Sequence, residues 1–252
     1  MNALLLLRRF VLISCLICLA GCATDQPKPP PPAGSAKKGK AAEEVNPEVL
    51  AMYKQAAAKP SEPFEGDDWQ SLFDGESLTG WRETEFAGRG DVQIRSGLMV
   101  LNMGDPFTGV NLTNPTPTMN YEVALDAMRV NGSDFFCGLT VPVGTNSCSL
   151  IVGGWGGTLV GISSLDGMDA SENETTKFRN FENGQWYRIR VRVTEKKIQV
   201  WIDKDRLVDV EIEGKKITVR PGDIEMSQPF GICAWQSSAA LREIKIRKLP
   251  QP

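Results

Sequence analysis

The segment Trp186-Tyr187-Arg188-Ile189-Arg190-Val191-Arg192-Val193 alternates between apolar and charged side chains. Successive side chains of an extended strand point to opposite faces, so this pattern predicts a strand with an apolar face and an arginine face. Residues 197–203 and 206–212 alternate in the same way around the turn Asp203-Lys204-Asp205. We therefore predict that the strand is followed by a β-hairpin and that all three strands pack one face against a core.

Similar short runs recur from Trp69 onward, separated by clusters of Gly, Asn, Asp and Pro, and helical periodicity is nearly absent. This spacing is typical of an all-β sandwich or barrel. The number of strands is sufficient for a sandwich of two antiparallel sheets. The further predicted strands are residues 92–95, 98–102, 109–112, 121–130, 135–141, 148–153, 158–163, 230–235 and 241–248.

The N-terminus has the features of a secretory signal. Arg8 and Arg9 precede an apolar run over residues 10–20, which is too short to span a bilayer as a helix. The run ends in Leu19-Ala20-Gly21-Cys22, which resembles the bacterial lipobox, in which the cysteine is acylated and the chain is cut before it. We expect a signal peptide over residues 1–21, a lipid anchor at Cys22 and a location in the bacterial cell envelope. Ala23 in the next position favours the outer membrane.

The segment after Cys22 changes in composition. Residues 22–64 are rich in Pro, Lys and Ala and include a run of prolines, so we expect a flexible, partly extended linker. A short helix over residues 47–58 would place Leu50 and Tyr53 on one face. The remaining residues, 65–250, form the predicted jelly-roll domain.

Charge and composition exclude several functions. Lys and Arg number 28 against 31 Asp and Glu, which leaves no cationic excess, so we do not expect nucleic-acid binding. The chain has no histidine, which excludes imidazole bases and most zinc sites. We expect no bound metal apart from the Ca²⁺ alternative considered below. Cys137 and Cys148 flank a turn and either form a disulfide or join Cys233 as buried thiols.

Several segments resemble a known family. Ser71-Leu72-Phe73-Asp74-Gly75-Glu76-Ser77-Leu78-Thr79-Gly80-Trp81 resembles the opening of the 3-keto-disaccharide hydrolase domain family, and Gly184-Gln185-Trp186-Tyr187-Arg188-Ile189 and Pro229-Phe230-Gly231-Ile232 resemble its closing strands. The resemblance implies a concanavalin A-like jelly-roll sandwich with a concave face that often meets sugar. It also implies hydrolase or lyase activity on 3-keto-glycosides.

Two aromatic segments are candidates for carbohydrate binding. In Gly153-Gly154-Trp155-Gly156-Gly157, one indole is flanked by four glycines, so the ring either stands clear for stacking on a sugar or packs on a neighbouring strand. Trp235 and Gln236 could form a platform with polar neighbours, or Trp235 could belong to the core. Arg179 is a candidate for the rim of the same site, or forms a surface ion pair.

The polar loop over residues 166–175 carries four carboxylates. Carboxylates are the natural acids and bases in a chain without histidine, so Glu172 and Glu174 are the catalytic candidates. Asp134 is a third candidate, or a turn residue. The same loop could instead chelate Ca²⁺ or be solvated. Together these features predict a membrane-anchored carbohydrate-binding protein with hydrolase or lyase activity as a further possibility. The alternative is a non-catalytic adhesion or protein-interaction module of the cell envelope. The sequence makes no prediction of oligomeric state.

Overall fold

The structure is a computed structural model and describes residues 47–250. The predicted signal peptide (1–21), the predicted lipidation site Cys22 and the first part of the predicted linker lie outside the described residues. Within residues 47–250, no helix is both long and apolar enough to cross a membrane.

Two antiparallel sheets, sheet I and sheet II, form the described part of the chain. In sheet I the segment that begins at Trp186 is a strand over the predicted residues, and its buried and partly exposed side chains alternate as expected. In spatial order, sheet I contains β13 (Asp205–Glu211), β12 (Lys197–Ile202), β11 (Trp186–Val193), β6 (Tyr121–Gly132), β15 (Ser237–Lys248), β4 (Leu98–Leu101) and β3 (Val92–Arg95), and β1 (Gln70–Ser71) pairs with β15.

Sheet II packs against sheet I. In spatial order it contains β10 (Lys177–Phe178), β9 (Leu159–Ser163), β8 (Asn146–Gly153), β7 (Cys137–Val143), β14 (Gly231–Trp235), β5 (Phe107–Leu112) and β2 (Trp81–Glu83). The main core lies between the sheets and includes Leu125, Ile189, Val191, Leu150 and Ile232, all fully buried. The predicted all-β fold, a sandwich of two antiparallel sheets, is confirmed.

The outer face of sheet I is covered by the chain that precedes the sandwich. Helix α1 (Pro47–Ala58) occupies the predicted residues, and its buried Tyr53 packs in a cluster with Leu98, Val100 and Met128. Residues 59–69, which we call the strap, continue across the same face. The predicted linker is therefore corrected over residues 47–64, because this part packs on the sheet instead of forming a flexible spacer.

The strap is fastened by arginines of sheet I. Arg242 donates from Nη1 to the carbonyl of Lys59 at 2.6 Å, and Arg188 donates from Nη1 to the carbonyl of Glu62 at 2.6 Å. Both guanidinium groups also bind the buried carboxylate of Asp126, at 3.3 Å and 2.8 Å. Arg188, on the arginine face of β11, is thus joined through the buried Asp126 to Arg242 in an ionic network.

Candidate functional site

A cavity of about 490 Å³ opens on the outer face of sheet II, the face that points away from sheet I. Side chains that alternate away from the main core form a second apolar cluster there, which includes Phe107, Phe135, Ile151 and Leu159. The cavity lies over this cluster. Its lining includes Asp134, Trp155, Asp169, Arg220, Asp223 and Trp235. Three of the predicted site residues, Asp134, Trp155 and Trp235, therefore meet in one cavity.

The glycine-rich turn presents Trp155 at this cavity. Trp155 has a φ of 50°, and Gly156 and Gly157 also have positive φ. A Cβ at Gly157 would lie 2.8 Å from the carbonyl oxygen of Ser133, so a glycine is required where the turn passes that backbone. Trp155 itself is 45% exposed. A bulky residue at positive φ is strained, and at Trp155 this conformation coincides with an indole that is open to the solvent.

Trp235 forms an apolar wall of the cavity. Its ring is partly buried and meets Phe107 edge to face, with ring centroids 4.6 Å apart, and lies 6.4 Å from the ring of Phe135. The two interpretations left open by the sequence both apply, because Trp235 packs on the second apolar cluster and also lines the cavity.

Asp134 holds the backbone around Trp155. Its Oδ1 accepts the backbone N–H of Phe135 at 2.7 Å, and its Oδ2 accepts the N–H of Gly156 at 3.1 Å. The Ser237 hydroxyl donates to the Asp134 carbonyl at 2.9 Å and lies 3.1 Å from its N–H. Both carboxylate oxygens are thus engaged by backbone donors, which makes Asp134 a positioning residue for the turn.

Asp169 and Arg220 form an ion pair at the cavity. Asp169 accepts the Ser163 hydroxyl at 2.5 Å and the Ala170 N–H at 2.7 Å through Oδ1, and its Oδ2 lies 2.8 Å from Arg220 Nη1. The Asp169 side chain is 16% exposed and the Arg220 side chain 58% exposed. Asp169 therefore orients a guanidinium that still presents donors to the cavity.

Asp223 is the carboxylate of the lining that is free to act on a ligand. It is exposed and begins a short 3₁₀ turn over Asp223–Ser227. Within residues 47–250 its side chain has no hydrogen bond or ion pair. Pro221 and Gly222 separate it from Arg220, so a cation and a free carboxylate lie close together in one segment of the lining.

Four predicted site residues lie outside the cavity lining. Glu174 pairs with Lys215 at 2.7 Å, beside a different cavity between the sheet edges. Arg179 pairs with Asp203 at 2.5 Å, and its guanidinium lies over the Tyr187 ring. The exposed Glu172 is in the polar loop and Gln236 is in the turn between β14 and β15. None of these four residues lines the cavity with Trp155.

Sequence reasoning missed Asp169, Arg220 and Asp223. Asp169 lies in the acidic loop that the sequence indicates, but no feature of the sequence distinguishes it there from the predicted candidates Glu172 and Glu174. The segment Arg220-Pro221-Gly222-Asp223 matches no motif. Its Pro-Gly pair between two charged residues indicates only that it is a loop.

No metal cluster is found within the described range 47–250, where no three Asp, Glu or Cys side chains are grouped to hold an ion. In the acidic loop Asp166 and Glu174 share Lys215, and Asp169 pairs with Arg220. The Ca²⁺ alternative stays a prediction. Cys137, Cys148 and Cys233 are buried free thiols, which decides against the Cys137–Cys148 disulfide. Burial raises the pKa of the Cys148 thiol to about 12 and that of Cys233 also to about 12.

Comparison with solved structures finds distant similarities. A Bacillus licheniformis β-glucanase aligns with a TM-score of 0.47 and 10% identity, covering 75% of this chain and 100% of that one. The carbohydrate-binding module CBM66 from Bacillus subtilis aligns with a TM-score of 0.46 and 11% identity, covering 67% of this chain and 96% of that one. Since neither TM-score reaches 0.5, these similarities carry no functional conclusion.

No curated protein matches the chain. The family described as the 3-keto-alpha-glucoside-1,2-lyase-like domain matches residues 68–247, which are more than two thirds of the sequence. This match agrees with the resemblance of the opening and closing segments. The chain therefore belongs to the 3-keto-alpha-glucoside-1,2-lyase-like domain family.

Proposed function

We propose that the domain binds an α-linked glucoside in the cavity on sheet II. The observation that carries this proposal is the presence of two indoles, Trp155 and Trp235, beside charged groups in one cavity of about 490 Å³. Sugars present apolar C–H faces and polar hydroxyls, so they suit aromatic walls that are combined with a few well-placed polar groups. Asp169, Arg220 and Asp223 supply these polar groups.

We further propose that the cavity catalyses elimination from 3-keto-α-glucosides, which is the reaction in the family description. In such a sugar the C3 carbonyl acidifies the proton on C2. Asp223 takes this proton, the electron pair forms the C1–C2 double bond, and the C1–O bond breaks. The leaving oxygen takes a proton from water. Arg220 stabilises the negative charge that develops on the C3 oxygen, and Asp169 holds Arg220 in place.

Titrations of the purified protein test these proposals with a 3-keto-α-glucoside and its unoxidised parent glucoside. Binding is followed by indole fluorescence and turnover by the ultraviolet absorbance of the conjugated product. We expect binding of the keto sugar and formation of product. Trp155→Ala should weaken binding, while Met52→Ala, which changes an exposed apolar residue of α1, should not.

The outcomes distinguish the possible functions. Turnover would support the lyase, and binding without turnover would leave a carbohydrate-binding module. Absence of both would overturn the proposal and favour the non-catalytic adhesion or protein-interaction module.

We also propose that the domain is held in the bacterial cell envelope by a lipid on Cys22, with the outer membrane as its location. The support is the segment Leu19-Ala20-Gly21-Cys22 after an apolar run, followed by Ala23. Two or more acyl chains on one cysteine are sufficient for stable attachment to a membrane. Cys22→Ser should release the protein from the detergent-extractable membrane fraction. Retention of the variant in that fraction would contradict the proposal.

A further inference from the structure

Phe178 is an exposed aromatic side chain on β10, the edge strand of sheet II. It is 74% exposed, the highest value among the large apolar residues that the structure describes. Single exposed apolar residues are common on protein surfaces, so the position of Phe178 relative to the cavity decides its meaning.

The register of sheet II places the Phe178 side chain on the cavity face. Phe178 pairs with Leu159 across the antiparallel ladder of β10 and β9. Directly paired residues of an antiparallel ladder project to the same face of a sheet. Leu159 is buried in the second apolar cluster, with Phe135 and Ile151, which line the cavity. Phe178 therefore extends this face to the edge strand.

The same register relates Phe178 to Trp155. Leu159 bridges to Gly154, the residue before Trp155. Phe178 and Gly154 are thus two strands apart, which corresponds to about 10 Å at the usual strand spacing. A short oligosaccharide spans this separation, so one chain of sugars can contact both rings.

The surroundings of Phe178 suit a neutral ligand. Arg179, the next residue, directs its guanidinium away into ion pairs with Asp203 and Asp205. Lys177, the preceding residue, pairs with the core residue Val160 and lines the other cavity between the sheet edges. The ring is therefore flanked by charged residues whose side chains point elsewhere.

We infer that Phe178 is an outer sugar-binding subsite and that the ligand is an oligosaccharide that reaches beyond the cavity. This inference rests on the proposed function, because the inner part of the chain must bind at Trp155. The ring of Phe178 stacks on a sugar unit outside the cavity and adds affinity only for ligands long enough to reach it.

Affinities of the full-length protein for maltose, maltotriose, maltotetraose and maltohexaose, measured by calorimetry, test the inference. We expect affinity to rise with chain length. Covering an exposed phenylalanine ring on one face corresponds to about a 10-fold gain in affinity. Phe178→Ala should remove the gain for the longer sugars and leave maltose unchanged, while Phe178→Trp should keep it. Trp155→Ala should weaken binding of every sugar in the series, and Met52→Ala should weaken none.

The failure of the inference differs from the failure of the proposed function. If maltose binds, but affinity does not depend on length or Phe178→Ala behaves as the wild type, the subsite is overturned and the cavity proposal stands. If no sugar of the series binds, the proposed α-glucoside function is overturned, and the subsite with it. Thermal unfolding of Phe178→Ala verifies that the variant is folded, as expected for so exposed a side chain.

Discussion

The carboxylate of Asp134 accepts the backbone N–H of Gly156, the residue after Trp155, at 3.1 Å. A side chain twenty-two positions earlier in the sequence thus fixes the turn that presents the exposed indole. The geometry assigns Asp134 a positioning role in the turn and engages both oxygens of a carboxylate that the sequence also offered as an acid or base.

Asp134→Ala removes the acceptor of the Phe135 and Gly156 N–H groups. We expect faster amide hydrogen exchange in Gly154–Gly157 and weaker sugar binding, with a fall of about 1 kcal/mol in the free energy of unfolding. Asp134→Asn is the matched control, because it keeps one oxygen acceptor and should have a smaller effect on exchange. Unchanged exchange in Asp134→Ala would show that the turn does not depend on this carboxylate.

Asp223→Asn removes the free carboxylate of the cavity and leaves a side chain of the same size. Turnover of a 3-keto-α-glucoside should fall about 10²- to 10⁴-fold, because a general base is lost, while sugar binding measured by fluorescence persists. Glu172→Gln and Glu174→Gln serve as controls and should retain turnover, since neither side chain lines the cavity. Full activity of Asp223→Asn, or loss of activity in either control, would reassign the base.

Asp126→Ala leaves the guanidinium groups of Arg188 and Arg242 without their shared carboxylate and removes the acceptor of the Ser61 hydroxyl. Removing one partner of a buried ion pair lowers the free energy of unfolding by about 3–5 kcal/mol, so urea denaturation should show a loss of stability of that size. Asp209→Ala, which breaks the surface pairs with Lys197 at 3.4 Å and with Arg206 at 3.0 Å, should cost about 0.2–1 kcal/mol for each pair. Similar losses in both variants would contradict the buried network.

Because its thiols are buried, we predict that the folded protein loses stability at high pH. Burial raises the pKa of Cys148 from its ordinary 9.0 to about 12, so the unfolded chain releases this proton first. Stability is unaffected below pH 9 and falls between pH 9 and 12, by about 1.4 kcal/mol per pH unit for each thiol. Cys148→Ala should make the fall in unfolding free energy less steep over this window. An unchanged slope would mean that Cys148 does not titrate on unfolding.

The architecture could be predicted from local alternation. β11 and β3 occupy the predicted residues, because a strand with one buried face imposes a period of two on its own sequence. The short strands β1, β2 and β10 were missed, since two or three residues cannot display a period. Helix α1 was predicted, but its packing on sheet I depends on residues such as Met128 that are distant in sequence.

The site could be predicted only where one segment carries an unusual composition. The four glycines around Trp155 were visible in the sequence, and this turn does reach the cavity. The sequence does not show which carboxylate reaches the cavity, because Asp169, Glu172 and Glu174 share one loop. Their surroundings depend on partners that are distant in sequence, Arg220 for Asp169 and Lys215 for Glu174. Loop geometry, which separates these residues, is not encoded in their spacing.

The fastening of the strap to sheet I has a mechanical consequence. A force that pulls on the chain ahead of residue 47 would be transmitted through α1 and the strap to β15 and β11, where Arg242 and Arg188 hold the Lys59 and Glu62 carbonyls. Helix α1 would separate from sheet I first and these contacts next, whereas sheet II, which contains Trp235 and leads into the turn of Trp155, lies outside this path. Tension at the N-terminal end would therefore leave the cavity undeformed until the strap had come away.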